Sequence, residues 1–233
     1  MTDGGDAAQT ARHRGLIALV GGAEWQEGAT FDTELLERAG SGEVLVLPTA
    51  AAYENPDRAV DVAKRWFAGL GASARGLMVL SHGDANDPAN AASVQQARFV
   101  YLSGGSPLHL LSVLKGSLVF DALSAAWHDG AVVAGSSAGA MVLVDPMIDP
   151  RGGAFTVGLG LVRDLAVIPH HDSGAAHHLW RTLALAPSGI PVAGVPERTA
   201  LIGEPDGTWR SAGAGEVSVY LDGEQVGLEA LPH

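Results

Sequence analysis

Apolar runs of strand length recur through the first part of the chain, at Gly15–Gly21, Glu43–Leu47, Arg75–Leu80, Phe99–Leu102 and Ala131–Ala134. Each run is nearly continuous rather than alternating, which is the pattern of a parallel strand covered on both faces. Helical periodicity fills the intervals, at Phe31–Ala39, Asn55–Leu70, Asn90–Arg98, Pro107–Lys115 and Phe120–His128. In the second of these, Ala59, Val62, Ala63, Trp66 and Phe67 form one apolar stripe, with Asp57, Arg58, Asp61, Lys64 and Arg65 mostly off it. The alternation predicts an α/β fold, a doubly wound and mostly parallel sheet with helices on both faces. After Asp145 the runs shorten to Leu165–Ile168, Pro191–Val195, Thr199–Ile202 and Glu216–Leu221, separated by turn signals such as Pro205-Asp206-Gly207 and Asp222-Gly223. Short strands with such turns predict antiparallel additions at the sheet edge, interrupted by one helix over about Ser173–Ala186. Residues 1–14 are polar and aperiodic and read as a disordered tail. The remainder, 15–233, shows no repeat, linker or second hydrophobic core and reads as a single domain.

Composition narrows the functional classes. The chain has 14 basic and 26 acidic residues, a formal net charge of −12, which argues against a nucleic-acid or anionic-membrane partner. It has no cysteine, so disulfides, thiolate metal sites and a cysteine nucleophile are excluded. The N-terminal stretch lacks an apolar core of the secretory type, and no run approaches 18 apolar residues. A cytoplasmic protein that uses no cofactor is the expectation.

The strongest chemical signal is Ala131-Val132-Val133-Ala134-Gly135-Ser136-Ser137-Ala138-Gly139, a buried strand entering Gly-x-Ser-x-Gly and then a helix. A sharp strand-to-helix turn of this kind holds the serine hydroxyl exposed at the carboxyl end of a sheet, where open α/β sheets keep their sites. A serine nucleophile needs a base, and the base needs an orienting acid. Of nine histidines, His170 stands at the end of the apolar strand Leu165–Pro169, and Glu197 follows another apolar strand. The resulting chain order, Ser, His, Glu, differs from the Ser, acid, His order of α/β-hydrolases. The Gly104-Gly105 turn follows a third apolar strand and precedes a helix opened by Ser106-Pro107, so its backbone can approach a ligand closely.

Five segments, Gly15–Glu24, Leu102–Gly105, Gly135–Ala140, Pro169-His170 and Glu197–Ala200, occur in the order found in the S51 serine peptidases. The chain resembles that family, the cyanophycinases and α-aspartyl dipeptidases, over nearly its whole length after residue 14. The resemblance implies a class I glutamine amidotransferase-like fold and a homodimer. It implies Ser137 as nucleophile, His170 as base, Glu197 as acid, and an oxyanion hole from the Gly105 and Ala138 N–H groups. In the dipeptidase branch the acid follows soon after the nucleophile, which makes Asp149 the rival of Glu197. Gly104, Ser106, His171, His178 and Arg181 are the candidates for binding a small peptide substrate. Arg181 is the permanent cation in the stretch after His170, so it is expected to hold an acidic, Asp-like residue at the cleavage site.

The chain also departs from cyanophycinases. Pro107 stands where they have Gln, Ile168-Pro169 where they have Asp-Gln, and His178–Arg181 replaces their Arg-x-x-Arg at a shifted spacing. Pro169-His170 matches the dipeptidase branch. Two rivals remain: a catalytically silent relative that binds a small molecule or peptide, and a metal-dependent hydrolase using His170, His171, Asp172, His177 and His178. Adjacent helical residues such as His177 and His178 point about 100° apart, which disfavours the second.

Overall fold

The computed structural model describes residues 14–173 and 176–233, except for the side chains of 176–178. The first half of the chain alternates strand and helix as expected. β1 (Ile17–Val20) leads to α1 (Phe31–Ala39), β2 (Glu43–Leu47), α2 (Pro56–Gly69) and β3 (Ser73–Gly76). Then follow α3 (His82–Ala85), α4 (Pro88–Gln95), β4 (Phe99–Leu102), α5 (Pro107–Leu114), α6 (Leu118–His128), β5 (Val132–Ser136) and α7 (Ala138–Leu143). Beyond these lie the short strands β6 (Val144–Asp145), β7 (Met147–Ile148), β8 (Phe155–Thr156), β9 (Val162–Arg163) and β10 (Ala166–Ile168), then α8 (Ala176–Ala184). The chain closes with β11 (Val192–Gly194), β12 (Thr199–Gly203), β13 (Trp209–Gly213), β14 (Ser218–Leu221) and β15 (Glu224–Val226).

The main sheet has seven strands in the order β13-β12-β1-β5-β4-β2-β3. The five from β1 to β3 are mutually parallel, and β12 and β13 are antiparallel additions at one edge. Alternation along the parallel strands divides the core into two layers. Ile17, Leu19, Leu45, Leu47, Val100, Leu102 and Val133 face a cluster containing α5, α6 and α7. Leu16, Ala18, Val20, Val44, Val46, Phe99, Tyr101 and Val132 face Phe31 and Leu35 of α1 and Val60, Ala63 and Phe67 of α2. The α2 helix forms where the pattern places it: Asn55 caps it by accepting a bond from the Arg58 N–H at 3.0 Å, and Pro56 opens its first turn.

Three expectations need correction. The third strand is Ser73–Gly76, not Arg75–Leu80, because it lies at the sheet edge, where alternate positions are exposed and apolar residues are not required. Leu77 and Val79 still pack near the core, but Val79 N–H closes onto Leu77 O at 2.9 Å and the ladder ends. The unforeseen α3 is a single turn held by reciprocal bonds between Ser81 and Asp84. Of the C-terminal strands, only β12 and β13 extend the main sheet. The runs near 165, 191 and 216 instead form a second sheet, β10-β11-β14-β15, in which β10 and β11 are parallel. A small apolar cluster of Ile148, Ala166, Leu183, Val192 and Tyr220 accompanies it. Residues 1–13, most of the expected tail, lie outside the described residues. Among the described residues no single helix is long and apolar enough to cross a membrane.

Candidate active site

Three neighbouring strands, β1, β5 and β4, bring their carboxyl ends together, and the chain leaving each one contributes to a common site. Ser137 follows β5 with φ 49° and ψ −104°, a conformation that costs energy for any residue with a side chain. Two bonds hold it there: its N–H donates to Val20 O at 2.9 Å, and its carbonyl accepts from Met141 N–H at 3.0 Å. The flanking glycines of the motif serve the same turn. A Cβ on Gly135 would lie 2.6 Å from the Gly139 carbonyl carbon, and one on Gly139 would lie 2.7 Å from Leu102 O. Gly135 thus lets β5 turn tightly into α7, and Gly139 lets α7 lie against β4.

His170 and Glu197 arrive from the second sheet. His170 lies two residues beyond β10, and Glu197 lies three beyond β11. Main-chain bonds tie both segments to the end of β1: His170 N–H donates to Gly21 O at 2.7 Å, and Arg198 N–H donates to Gly22 O at 2.8 Å. His170 itself takes a left-handed φ of 51°. The side chains then align. Ser137 Oγ–H donates to His170 Nε2 at 2.9 Å, and His170 Nδ1–H donates to Glu197 Oε1 at 2.8 Å. Gly22 lies against the imidazole so closely that a Cβ there would sit 2.2 Å from His170 Cε1. Glu197 is fixed in turn, its N–H donating to Asp172 Oδ1 at 2.9 Å.

Asp149 lines a cleft that Ile168 and Pro169 also line, but the His170 Nδ1 partner is Glu197 and not Asp149. Arg151 grips its carboxylate through Nε and Nη2 and through the backbone N–H, and these bonds hold the Asp149 pKa down to about 2. Gly104 approaches Ser137 closely: a Cβ on it would stand 3.5 Å from Ser137 Cβ. Gly105 has φ +136°, and a Cβ there would run into Ala50 O at 2.3 Å, so only glycine fits. Ser106 accepts the His109 N–H at 3.3 Å and caps α5. His171 turns toward the second sheet, its Nε2 within 3.1 Å of Tyr220 Oη, and burial lowers its pKa. Arg181 is exposed and borders a cleft of about 390 Å³ with Met141, Asp149, Arg151, Ile168 and Pro169. The His178 side chain lies outside the described residues. Among the described residues no group of three His, Cys, Asp or Glu side chains could hold a metal ion.

Glu24 enters the site without having been singled out by any motif of catalytic type. Its Oε1 accepts from the Gly104 N–H at 3.0 Å and its Oε2 from the Ser136 hydroxyl at 2.7 Å. The available signal was its position, a carboxylate two residues past the glycine pair that ends β1.

A serine on a strained strand-to-helix turn, bonded to an imidazole that is bonded to a carboxylate, on a doubly wound sheet, defines a hydrolase of the serine type. The comparisons with known proteins agree. The crystal structure of a peptidase from an acI-B1 actinobacterium superposes with a TM-score of 0.80 at 27% identity, covering 93% of this chain and 98% of that one. Cyanophycinase from Synechococcus elongatus is 27% identical over 224 residues, 91% of this chain and 69% of its own length. Cyanophycinase from Trichormus variabilis is 26% identical over 216 residues, 87% and 72% of the two lengths. Residues 16–208 match the model of peptidase family S51, and the chain belongs to that family.

Proposed function

We propose that the protein is a serine peptidase that hydrolyses a small peptide or isopeptide through a Ser137-His170-Glu197 triad and an acyl-enzyme. The observation that carries this reading is the unbroken line of hydrogen bonds from Ser137 Oγ through both ring nitrogens of His170 to Glu197. His170 takes the Ser137 proton as Oγ attacks the scissile carbonyl and later returns it to the leaving amine. Glu197 holds the imidazole in the tautomer with its proton on Nδ1 and stabilises the imidazolium that forms. The N–H groups of Gly105 and Ala138 receive the developing oxyanion. Asp149 is a poor orienting acid because Arg151 already engages its carboxylate.

The substrate carries an acidic, Asp-like residue at the cleavage site. Support comes from Arg181, which is exposed at the edge of the cleft beside Ile168 and Pro169, the residues that lead into His170. A guanidinium there can take a side-chain carboxylate through two parallel bonds, against the unfavourable field of a chain with net charge −12.

A peptide-library cleavage screen with Ser137→Ala as the control tests the reaction, and Asp-Leu against Asn-Leu, in wild type and Arg181→Met, tests the specificity. Cleavage by wild type alone, with a preference for Asp that the Arg181 variant loses, is expected. Equal cleavage by Ser137→Ala would remove Ser137 from the mechanism, and an Asp preference that survives in Arg181→Met would remove Arg181 from recognition.

A further inference from the structure

The two segments that would supply the oxyanion donors belong to different strands. Gly105 follows β4, and Ala138 follows β5. An oxyanion hole works only when both N–H groups stand about 2.7–3.1 Å from one oxygen position, so the spacing between the segments must be fixed to a few tenths of an ångström. Strand pairing fixes it only as far as Leu102 opposite Gly135, and the chain beyond is loop on one side and a sharp turn on the other. Glu24 spans this gap. One carboxylate oxygen holds the N–H of Gly104, the residue before Gly105. The other holds the hydroxyl of fully buried Ser136, the residue before Ser137.

From this bridge we infer that Glu24 is a positioning residue for the oxyanion hole: its carboxylate clamps the Gly104-Gly105 turn to the Ser136-Ser137 elbow. The inference rests on the peptidase reading above. A carboxylate suits the task because it accepts at both oxygens, and bonds to a charged acceptor are shorter and stronger than neutral ones. It also reaches in from the loop after β1, whose Gly21 and Gly22 carbonyls bind the segments carrying His170 and Glu197, so one loop touches every part of the site. Ser106 and Ala50 support the same turn from the far side, Ser106 N–H donating to Ala50 O at 2.8 Å, but they make no bond to the elbow.

The amide variant separates geometry from charge. In Glu24→Gln the side-chain oxygen can still accept from Gly104 and the NH₂ can donate to Ser136 Oγ, which turns from donor to acceptor. In Glu24→Ala both bonds are lost. Two quantities are read for wild type and both variants: kcat and KM for the peptide found in the library screen, and amide hydrogen exchange at Gly104, Gly105 and Ala138. The clamp predicts that Glu24→Ala lowers kcat by about 10²-fold, the scale of one lost oxyanion donor, with KM changed less than about threefold. It predicts faster exchange at Gly104 and Gly105 in the same variant, and near wild-type behaviour on both counts in Glu24→Gln. Unchanged exchange in a folded Glu24→Ala protein overturns the clamp, whatever the activity. A Glu24→Gln protein as slow as Glu24→Ala, with exchange at wild-type rates, also overturns it and assigns the carboxylate a charge role. If wild type cleaves nothing, the peptidase reading fails, while the exchange rates still judge the clamp by themselves.

Discussion

The region that holds Ser137 and the region that holds His170 and Glu197 are built on different terms. Ser137 leaves the centre of the main sheet, with β5 paired on both sides and wholly buried. Its conformation is set partly nearby, by Gly135 and the Met141 N–H bond, and partly by one long-range bond from its own N–H to Val20 O. His170 and Glu197 are half-exposed and leave a smaller sheet whose own apolar cluster is modest. Long-range main-chain bonds to Gly21 and Gly22 deliver them. The proposed triad thus draws its serine from a strained turn on one region and its histidine and glutamate from the other.

The sharpest way to break the comparison is Ser137→Ala. Removing the proposed nucleophile should lower turnover by about 10⁴–10⁶-fold. The far-ultraviolet circular dichroism and melting temperature should stay close to wild type, because the elbow is held by its backbone. Next comes the acid. Glu197→Gln should lower kcat by about 10²–10⁴-fold, since the imidazolium loses its charged partner, whereas Asp149→Asn should change kcat less than about twofold. A steady-state assay of the two variants that gave the reverse order would move the acid to Asp149. Arg181→Met should leave cleavage of Asn-Leu alone and reduce the preference for Asp-Leu by about tenfold or more, the value of a charge-assisted bond.

A separate effect concerns stability and lies in α1, against the main sheet. Asp32 of α1 is fully buried, and burial raises its pKa from 3.8 to about 7, partly opposed by the bond from Trp66 Nε1–H and reinforced by Glu24. Between those values the folded state keeps a proton that the unfolded state has released. Stability therefore falls as pH rises toward 7, by about 1.4 kcal/mol per unit, and levels off above it. Urea titrations of wild type and Asp32→Asn across that range should show a component of this slope that the variant lacks. Parallel curves would mean that Asp32 ionises near its ordinary value.

The difference between the regions also explains what could be read from the chain. Continuous apolar runs announced β1, β2, β4 and β5 because strands covered on both faces tolerate little else. The edge strand β3, half exposed, carried no such signature and was misplaced. Gly135–Gly139 was legible because its turn is local. His170 and Glu197 were legible only as residues following apolar strands. That their strands form a second sheet depends on pairing between Ala166 and Val192 and between Val192 and Tyr220, which short runs do not specify. Glu24 was illegible because its partners, Gly104 and Ser136, lie 80 and 112 positions away.

Covalent labelling tests the Ser137–His170–Glu197 line most directly. A fluorophosphonate reacts with a serine only when a base activates it and an oxyanion hole receives the phosphonyl oxygen. Mass spectrometry of the labelled, folded protein should find one adduct, on Ser137, absent in Ser137→Ala and formed far more slowly in His170→Ala and Glu197→Gln. A folded wild-type protein that stays unlabelled, or an adduct that persists in Ser137→Ala, would contradict the assignment.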